Sequence, residues 1–326
     1  MGRSPTEQFE VFAPTAQQRA SAILAVFGGS HQRADRYLQR AADDREELIW
    51  AIEDSRGNIS HASMLIRSPG RTALIFATPP RAFDDQQRGA CLIGRSVAHA
   101  GKIDAVIVQA LIEPLRSDDL AMFALGGMTP IGTLAYLERP TSRKSTTQER
   151  ALPTGVSIRP WKTSDRALLE ELLTATYIDS LDCPGLAEMR RTSDILDGHI
   201  AAGILDPSTW LILDVNGTPS GVSLMSEIPG SRCVEIVYFG LTPSARGQGL
   251  GGHLLDYALK IVQERTGVPI ALACDELNSP AMRLYQARGF NTRLRRAALI
   301  GRVPDLALHF PTTCPPTVDK CDEKTP

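Results

Sequence analysis

Glu235 is a single carboxylate in the apolar run Val234-Glu235-Ile236-Val237-Tyr238-Phe239-Gly240-Leu241. After Thr242-Pro243 comes a glycine-rich stretch, Arg246-Gly247-Gln248-Gly249-Leu250-Gly251-Gly252. Burial in such a strand would raise the carboxylate's pKa toward the range where it can take a proton from an amine. The glycines precede Leu254, Leu255, Ala258, Leu259 and Val262, which recur at helical spacing. They therefore sit where a helix begins. Backbone N–H groups there lack intrahelical partners, the dipole favours an anion, and the missing Cβ atoms let a phosphate approach. Further on, Asn278-Ser-Pro-Ala-Met-Arg-Leu284-Tyr285-Gln-Ala-Arg-Gly289-Phe290 carries a phenol able to donate a proton at Tyr285 and a helix-capping amide at Asn278.

Three phosphate loops compete for the glycines. The Walker loop needs Gly-Lys-Ser/Thr at its end, and this one ends Gly251-Gly252-His253. Gly247, Gly249 and Gly252 match G-x-G-x-x-G, the dinucleotide fingerprint, but that motif belongs at the first strand–helix turn of a parallel unit. Here a hairpin precedes it: residues 210–215 and 221–225 alternate as strands around Asn216-Gly217. The third pattern, R/Q-x-x-G-x-G/A, is met by Arg246, Gly249 and Gly251.

That third pattern resembles the acyl-CoA loop of the GCN5-related N-acetyltransferases, the GNAT family. The block from Asn278 to Phe290 resembles the family's N-x-x-A-x-x-L-Y-x-x-x-G-F signature, and Val156-Ser-Ile-Arg-Pro resembles its first strand. The resemblance covers residues 154–302. It implies acetyl-CoA as co-substrate and direct transfer to a primary amine, with Glu235 as general base and Tyr285 as general acid. It also implies a cofactor site of Phe239, Gly240 and Leu241 along the pantetheine arm. Arg246, Gly247, Gln248, Gly249, Leu250 and Gly251 would lie at the pyrophosphate, with Asn278 touching the cofactor. The segment Asp182-Cys183-Pro184-Gly185, with Tyr177 and Asp179 before it, stands where the family places an acceptor-binding loop; a plain Pro-Gly turn reads equally well. A longer acyl-CoA, a protein amine as acceptor, or a non-catalytic CoA-binding module fit the same loop.

The elements that must position these residues come in two sets. With 326 residues the chain has room for two ordinary domains. In the first half, strand patterns at 48–52 and 61–66 form a hairpin, then come a strand at 72–77, a helix at 89–99, a strand at 105–112, a helix at 118–127 and a strand at 132–138. This repeats the order of the second half. The expected fold is α/β, two tandem GNAT-like units, each a mixed and mostly antiparallel sheet flanked by helices. The layout resembles that of the mycothiol synthase family, small-molecule acetyltransferases with an active C-terminal unit. The expected division is a degenerate unit at 1–138, a linker at 139–153, a catalytic unit at 154–310 and a disordered tail at 311–326. The first unit lacks the chemistry: its loop carries Asp84 and Asp85, which repel a pyrophosphate, Arg71 falls opposite Glu235, and Phe123 replaces Tyr285.

A net charge of -2 offers no broad attraction for nucleic acid or an anionic membrane. No apolar run reaches the roughly 18–20 residues of a membrane span, and no secretory signal opens the chain. The six cysteines form no C-x-x-C pair and no metal-ligand spacing, so free thiols in a cytoplasmic enzyme and no metal are expected. The acceptor expected is a small-molecule amine or a peptide.

Overall fold

The computed structural model describes residues 9–40, 47–140, 151–186, 189–265 and 267–303. Most of the expected linker and the whole expected tail lie outside these residues. The first half contains α1 (Arg19–Val26), α2 (His31–Arg40), β1 (Glu47–Glu53), β2 (Ile59–Ser68), β3 (Thr72–Ala77), α3 (Phe83–His99), β4 (Ile107–Ile112), α4 (Ser117–Leu125) and β5 (Thr129–Arg139). The second contains β6 (Val156–Pro160), α5 (Arg166–Tyr177), α6 (Thr192–Ala201), β7 (Leu211–Val215), β8 (Thr218–Ile228), β9 (Cys233–Leu241), α7 (Leu250–Arg265), β10 (Ile270–Asp275), α8 (Ser279–Gln286) and β11 (Asn291–Arg302). The repeat read in the sequence is present: β1-β2-β3-α3-β4-α4-β5 corresponds to β7-β8-β9-α7-β10-α8-β11.

The two units share one 11-stranded sheet in the order β1-β2-β3-β4-β11-β5-β10-β9-β8-β7-β6. The last strand of each unit is exchanged. β11 of the second unit pairs with β4 of the first (Leu299 opposite Ala110), and β5 of the first pairs with β10 of the second (Tyr136 opposite Ala273). β5 and β11 then pair with each other at the centre. Period-2 patterning sets which face of a strand is buried but not which neighbour it joins, so nothing local in the sequence distinguished exchanged from unexchanged strands.

Most sheet contacts are antiparallel; the two parallel pairs, β3–β4 and β9–β10, are where a helix crosses over between strands. The β7–β8 turn places Asn216 at φ 49° and Gly217 at φ 79°, the two positive values a tight hairpin turn demands. On one face of the sheet, α7 and α8 bury Leu254, Leu255, Leu259, Met282 and Phe290 against Met225, Ile236, Leu272 and Leu137. On the same face of the first half, Ile93 and Val97 of α3 and Phe123 of α4 pack on Ile75, Val108 and Ala110. On the opposite face, α1 covers β1 and β2, and α5 and α6 cover β7 to β9. Cys183, Cys233 and Cys274 are free, while Cys91 is disulfide-bonded, which corrects the expectation of free thiols throughout.

Candidate active site

The parallel strands β9 and β10 touch only at their beginnings, Val234 opposite Ile270 and Glu235 opposite Ala271. Beyond that point they part. The cause lies in β9: its register against β8 slips between Leu224 and Met225, leaving Val237 as an extra residue that bends the strand away. A fork results, with β9 residues from Ile236 onward having no β10 partner.

Which backbone groups face the fork follows from the ladder. Thr242 donates to the Ser220 carbonyl on β8 at 2.9 Å, so Gly240, two residues back, also turns its N–H and C=O toward β8. Phe239 and Leu241 turn theirs the other way, into the fork. Gly240, expected to pair with pantetheine, is therefore engaged within the sheet. It serves by lacking a side chain: a Cβ there would lie 2.8 Å from the Tyr238 hydroxyl and 3.0 Å from Thr176 Cβ on α5.

The glycine loop lies at the mouth of the fork. Gly247 and Gly249 have φ of 74° and 76°, values that other residues adopt only with strain, and a Cβ on either would meet nothing within 4 Å. The loop is thus shaped for open approach from outside. Gly251 lies in the first turn of α7, near Leu241 and Leu284, and the adjacent Leu250 is buried in the core. Gln248 folds back, its Nε2 donating to the Ser244 carbonyl at 2.6 Å.

The side chain of Arg246 is engaged within the protein. Its guanidinium donates to three carbonyls, Leu241 at 3.1 Å, Asp179 at 3.0 Å and Thr176 at 2.9 Å. It staples the end of β9 to the end of α5 and so fixes the loop. Arg246→Ala is expected to cost about 2–4 kcal/mol, because three carbonyls lose a charged donor. Lysine, without the fork of donors, should not restore it. Thermal melts of the apo-protein check this: a phosphate-binding arginine would lower acetyl-CoA affinity and leave the apo melting temperature alone.

Glu235 sits at the crotch of the fork on the face opposite α7. Burial alone raises its carboxyl above the ordinary range. Directly across the ladder is Ser226, whose buried hydroxyl has no partner among the described residues. Tyr285 projects from α8, 5% exposed, edge-on to Phe239 and Phe290 with ring centroids 6.2 and 5.7 Å away. Its hydroxyl has no hydrogen-bond partner among the described residues. Burial first, then the neighbouring Cys274, Asp182 and Tyr238, push the phenol well above its usual pKa, so it stays protonated. Asn278 caps α8, its Oδ1 accepting from Ala281 N–H at 3.2 Å.

The Asp182 segment does more than turn. Asp182 Oδ1 accepts from Asp275 N–H at 2.8 Å, and Asp275 Oδ2 accepts from Cys183 N–H at 3.3 Å, so the segment docks on the tip of β10. Burial, together with the Asp275 charge, raises the Asp182 carboxyl. Sequence reasoning missed Asp275, which is 2% exposed; its position at the end of an apolar strand was the available signal. Among the described residues no cluster of metal ligands occurs.

In the first unit the equivalent loop is sealed. Asp85 Oδ2 accepts from the N–H groups of Arg81 at 3.0 Å and Ala82 at 3.2 Å, and His61 Nε2 meets Oδ1 at 3.0 Å. Burial draws the Asp85 carboxyl upward, but these donors outweigh it and hold the group below its usual range. The chain's own carboxylate takes donors that a phosphate would need.

Residues 169–290 match the model of the acetyltransferase (GNAT) family. The mycothiol acetyltransferase of Thermomonospora curvata is 26% identical over 222 residues, 64% of this chain and 73% of that protein. That of Mycobacterium ulcerans is 24% identical over 301 residues, 84% of this chain and 89% of its own. A GCN5-related N-acetyltransferase from Sphaerobacter thermophilus shares the fold with a TM-score of 0.59, 18% identity, and coverage of 92% of this chain and 98% of its own. A tandem GNAT protein from the clavulanic acid biosynthesis pathway shares it at 0.50, with 17% identity and coverage of 91% and 98%. The second unit is thus similar to the GNAT acetyltransferases over residues 169–290, and the chain as a whole shares its fold with a tandem GNAT protein.

Proposed function

We propose that this enzyme transfers acetyl from acetyl-CoA directly to a primary amine of a small molecule, in the second unit alone. The observation that carries the reading is the β9–β10 fork, with unpaired backbone groups along one arm and an open glycine loop at its mouth. The free N–H groups of Phe239 and Leu241 would pair with the pantetheine arm, as a β-strand pairs with a peptide. The loop from Gly247 to Gly251 would hold the pyrophosphate at the start of α7. When bound, acetyl-CoA supplies an acetyl thioester as the electrophile.

The protein's part is to move two protons. An alkylamine with a pKa near 10.4 is almost wholly protonated at neutral pH, so it must lose a proton to become a nucleophile. Glu235, whose carboxyl burial raises above its ordinary value, takes it when ionised. Tyr285 gives a proton to the departing sulfur. The donor is ready at any working pH because burial keeps the phenol protonated. Acetyl-CoA raising the melting temperature, together with amine-dependent thiol release, is the test. No shift with acetyl-CoA would overturn the cofactor site; a shift with no thiol release across a broad amine panel would overturn the catalysis.

We assign residues 1–138 to a non-catalytic unit and 154–310 to the catalytic one. The seal at Asp85 predicts one acetyl-CoA per chain by calorimetric titration. Asp85→Ala should cost about 1 kcal/mol, as a lost helix cap does, and leave the acetyl-CoA affinity unchanged. Among the described residues no helix is long and apolar enough to cross a membrane. We place the reaction in the cytoplasm, with the acetyl-CoA it consumes.

A further inference from the structure

The strand exchange puts a piece of the first unit beside the catalytic carboxylate. Register settles which side chains share Glu235's face: Glu235 lies level with Ala271 on β10, Ala273 is opposite Tyr136 on β5, and Tyr136 is opposite Leu294 on β11. Arg296, opposite Leu134, lies two residues further along the same face. The two alanines leave a trough between Glu235 and Tyr136. The helices cover the two ends of this face, and the partly exposed Phe76, Leu111 and Leu294 mark the strip between them. The Asp182 segment closes one end of the trough, where Gly185 lies against Ile131 of β5.

Three of the four arginines of β11 lie in its first half, Arg293, Arg295 and Arg296, and two of these are matched: Arg293 with Glu138 at 2.9 Å and Arg295 with Glu276 at 2.6 Å. Arg296 has no carboxylate partner among the described residues; its Nη1 donates only to the Arg295 carbonyl at 2.8 Å. The Tyr136 hydroxyl likewise has no hydrogen-bond partner among them. Its phenol feels both the Glu235 carboxylate, which adds to burial in raising its pKa, and the Arg296 guanidinium, which opposes them. Tyr136 therefore stands between a carboxylate and an unmatched cation. The backbones of Glu235 and Arg296 are three strands apart and offset by four residues along them, since Glu235 is level with Glu138 and Arg296 with Leu134, about 20 Å at the usual spacing. Two long side chains reaching toward each other shorten that to the span of a small molecule.

We propose that Tyr136 and Arg296 form an acceptor subsite for an anionic group carried by the amine, so that the preferred acceptor is an amino acid-like or aminophosphate-like molecule. This rests on the acetyltransferase reading above. The amine goes to Glu235, the anion to Arg296, and the phenol of Tyr136 orients the atoms between. Leu294, beside Tyr136, offers an apolar contact for the body of the molecule. The first unit, without chemistry of its own, thereby supplies β5 and takes part in choosing the substrate.

The test pairs amines that differ in one anion: phenylalanine against phenethylamine, tyrosine against tyramine, and aminoethyl phosphate against ethanolamine. Thiol release from acetyl-CoA is followed with the full chain. The expected result is a kcat/KM at least 10-fold higher for anionic members, falling to near parity in Arg296→Gln, with acetyl-CoA stabilisation unchanged in that variant. Whether carboxylate or phosphate is favoured identifies the source of the anion. Tyr136→Phe should raise the acceptor KM several-fold and leave the acetyl-CoA KM as it was. The proposal is overturned if no anionic member is acetylated, if neutral members are used equally well, or if Arg296→Gln keeps the preference. Acetyl-CoA binding in the wild type separates these failures from a failure of the cofactor assignment.

Discussion

Glu235→Gln is expected to lower kcat by about 10²- to 10³-fold and to abolish the acidic limb of the pH–rate profile. Glutamine keeps the shape and the strand register but cannot take a proton. In the wild type the limb should lie above the ordinary carboxylate range, because burial penalises the charged form of Glu235. The direction follows: at low pH the carboxyl is protonated and idle, activity rises as it ionises, and in the variant that rise is gone. Binding should be untouched, since the fork and the loop do not use this side chain, so acetyl-CoA should stabilise wild type and variant alike. A surviving acidic limb would assign the base elsewhere, with Asp182 next in line for its raised carboxyl and its place beside Tyr285.

Much of this site could be read from residue types and spacing. The glycine loop, the Glu235 strand and the Tyr285 helix are contiguous motifs whose local physics does not depend on distant chain. The degenerate first loop was legible in Asp84 and Asp85, although the way it is closed was not. Asp85 acts by filling the donors, which takes a backbone geometry that composition does not display. Arg246 shows the opposite limit. Its loop motif gave it a place at the pyrophosphate, but what its side chain holds depends on where α5 ends, and α5 is distant in sequence. The exchange of β5 and β11 is the largest feature that local patterning left open. Both strands alternate correctly for either partner, and only assembly of two units decides between them. Tyr136 and Arg296 were invisible as site residues for the same reason.

Tyr285→Phe is expected to reduce kcat by about 10- to 100-fold, with little change in stability because the hydroxyl supports no other group among the described residues. The informative control is its neighbour Cys274. That thiol lies 4% exposed in the α7–α8 core, and burial pushes its pKa far up, followed by the charges of Asp182 and Asp275. A thiol so held is no nucleophile. Cys274→Ala should therefore keep turnover within a few-fold and lose about 1 kcal/mol of stability from the vacated volume. Two routes to acetyl transfer are separated by the pair. Direct attack by the amine needs a proton for the leaving sulfur and no enzyme thioester, so it predicts a slow Tyr285→Phe, an active Cys274→Ala, and no acetylated cysteine by intact-protein mass spectrometry during turnover. A relay through Cys274 predicts the reverse on all three. The environment favours the direct route because one apolar shell does two things to two groups: it keeps the phenol protonated and able to donate, and it keeps the thiol protonated and unable to attack.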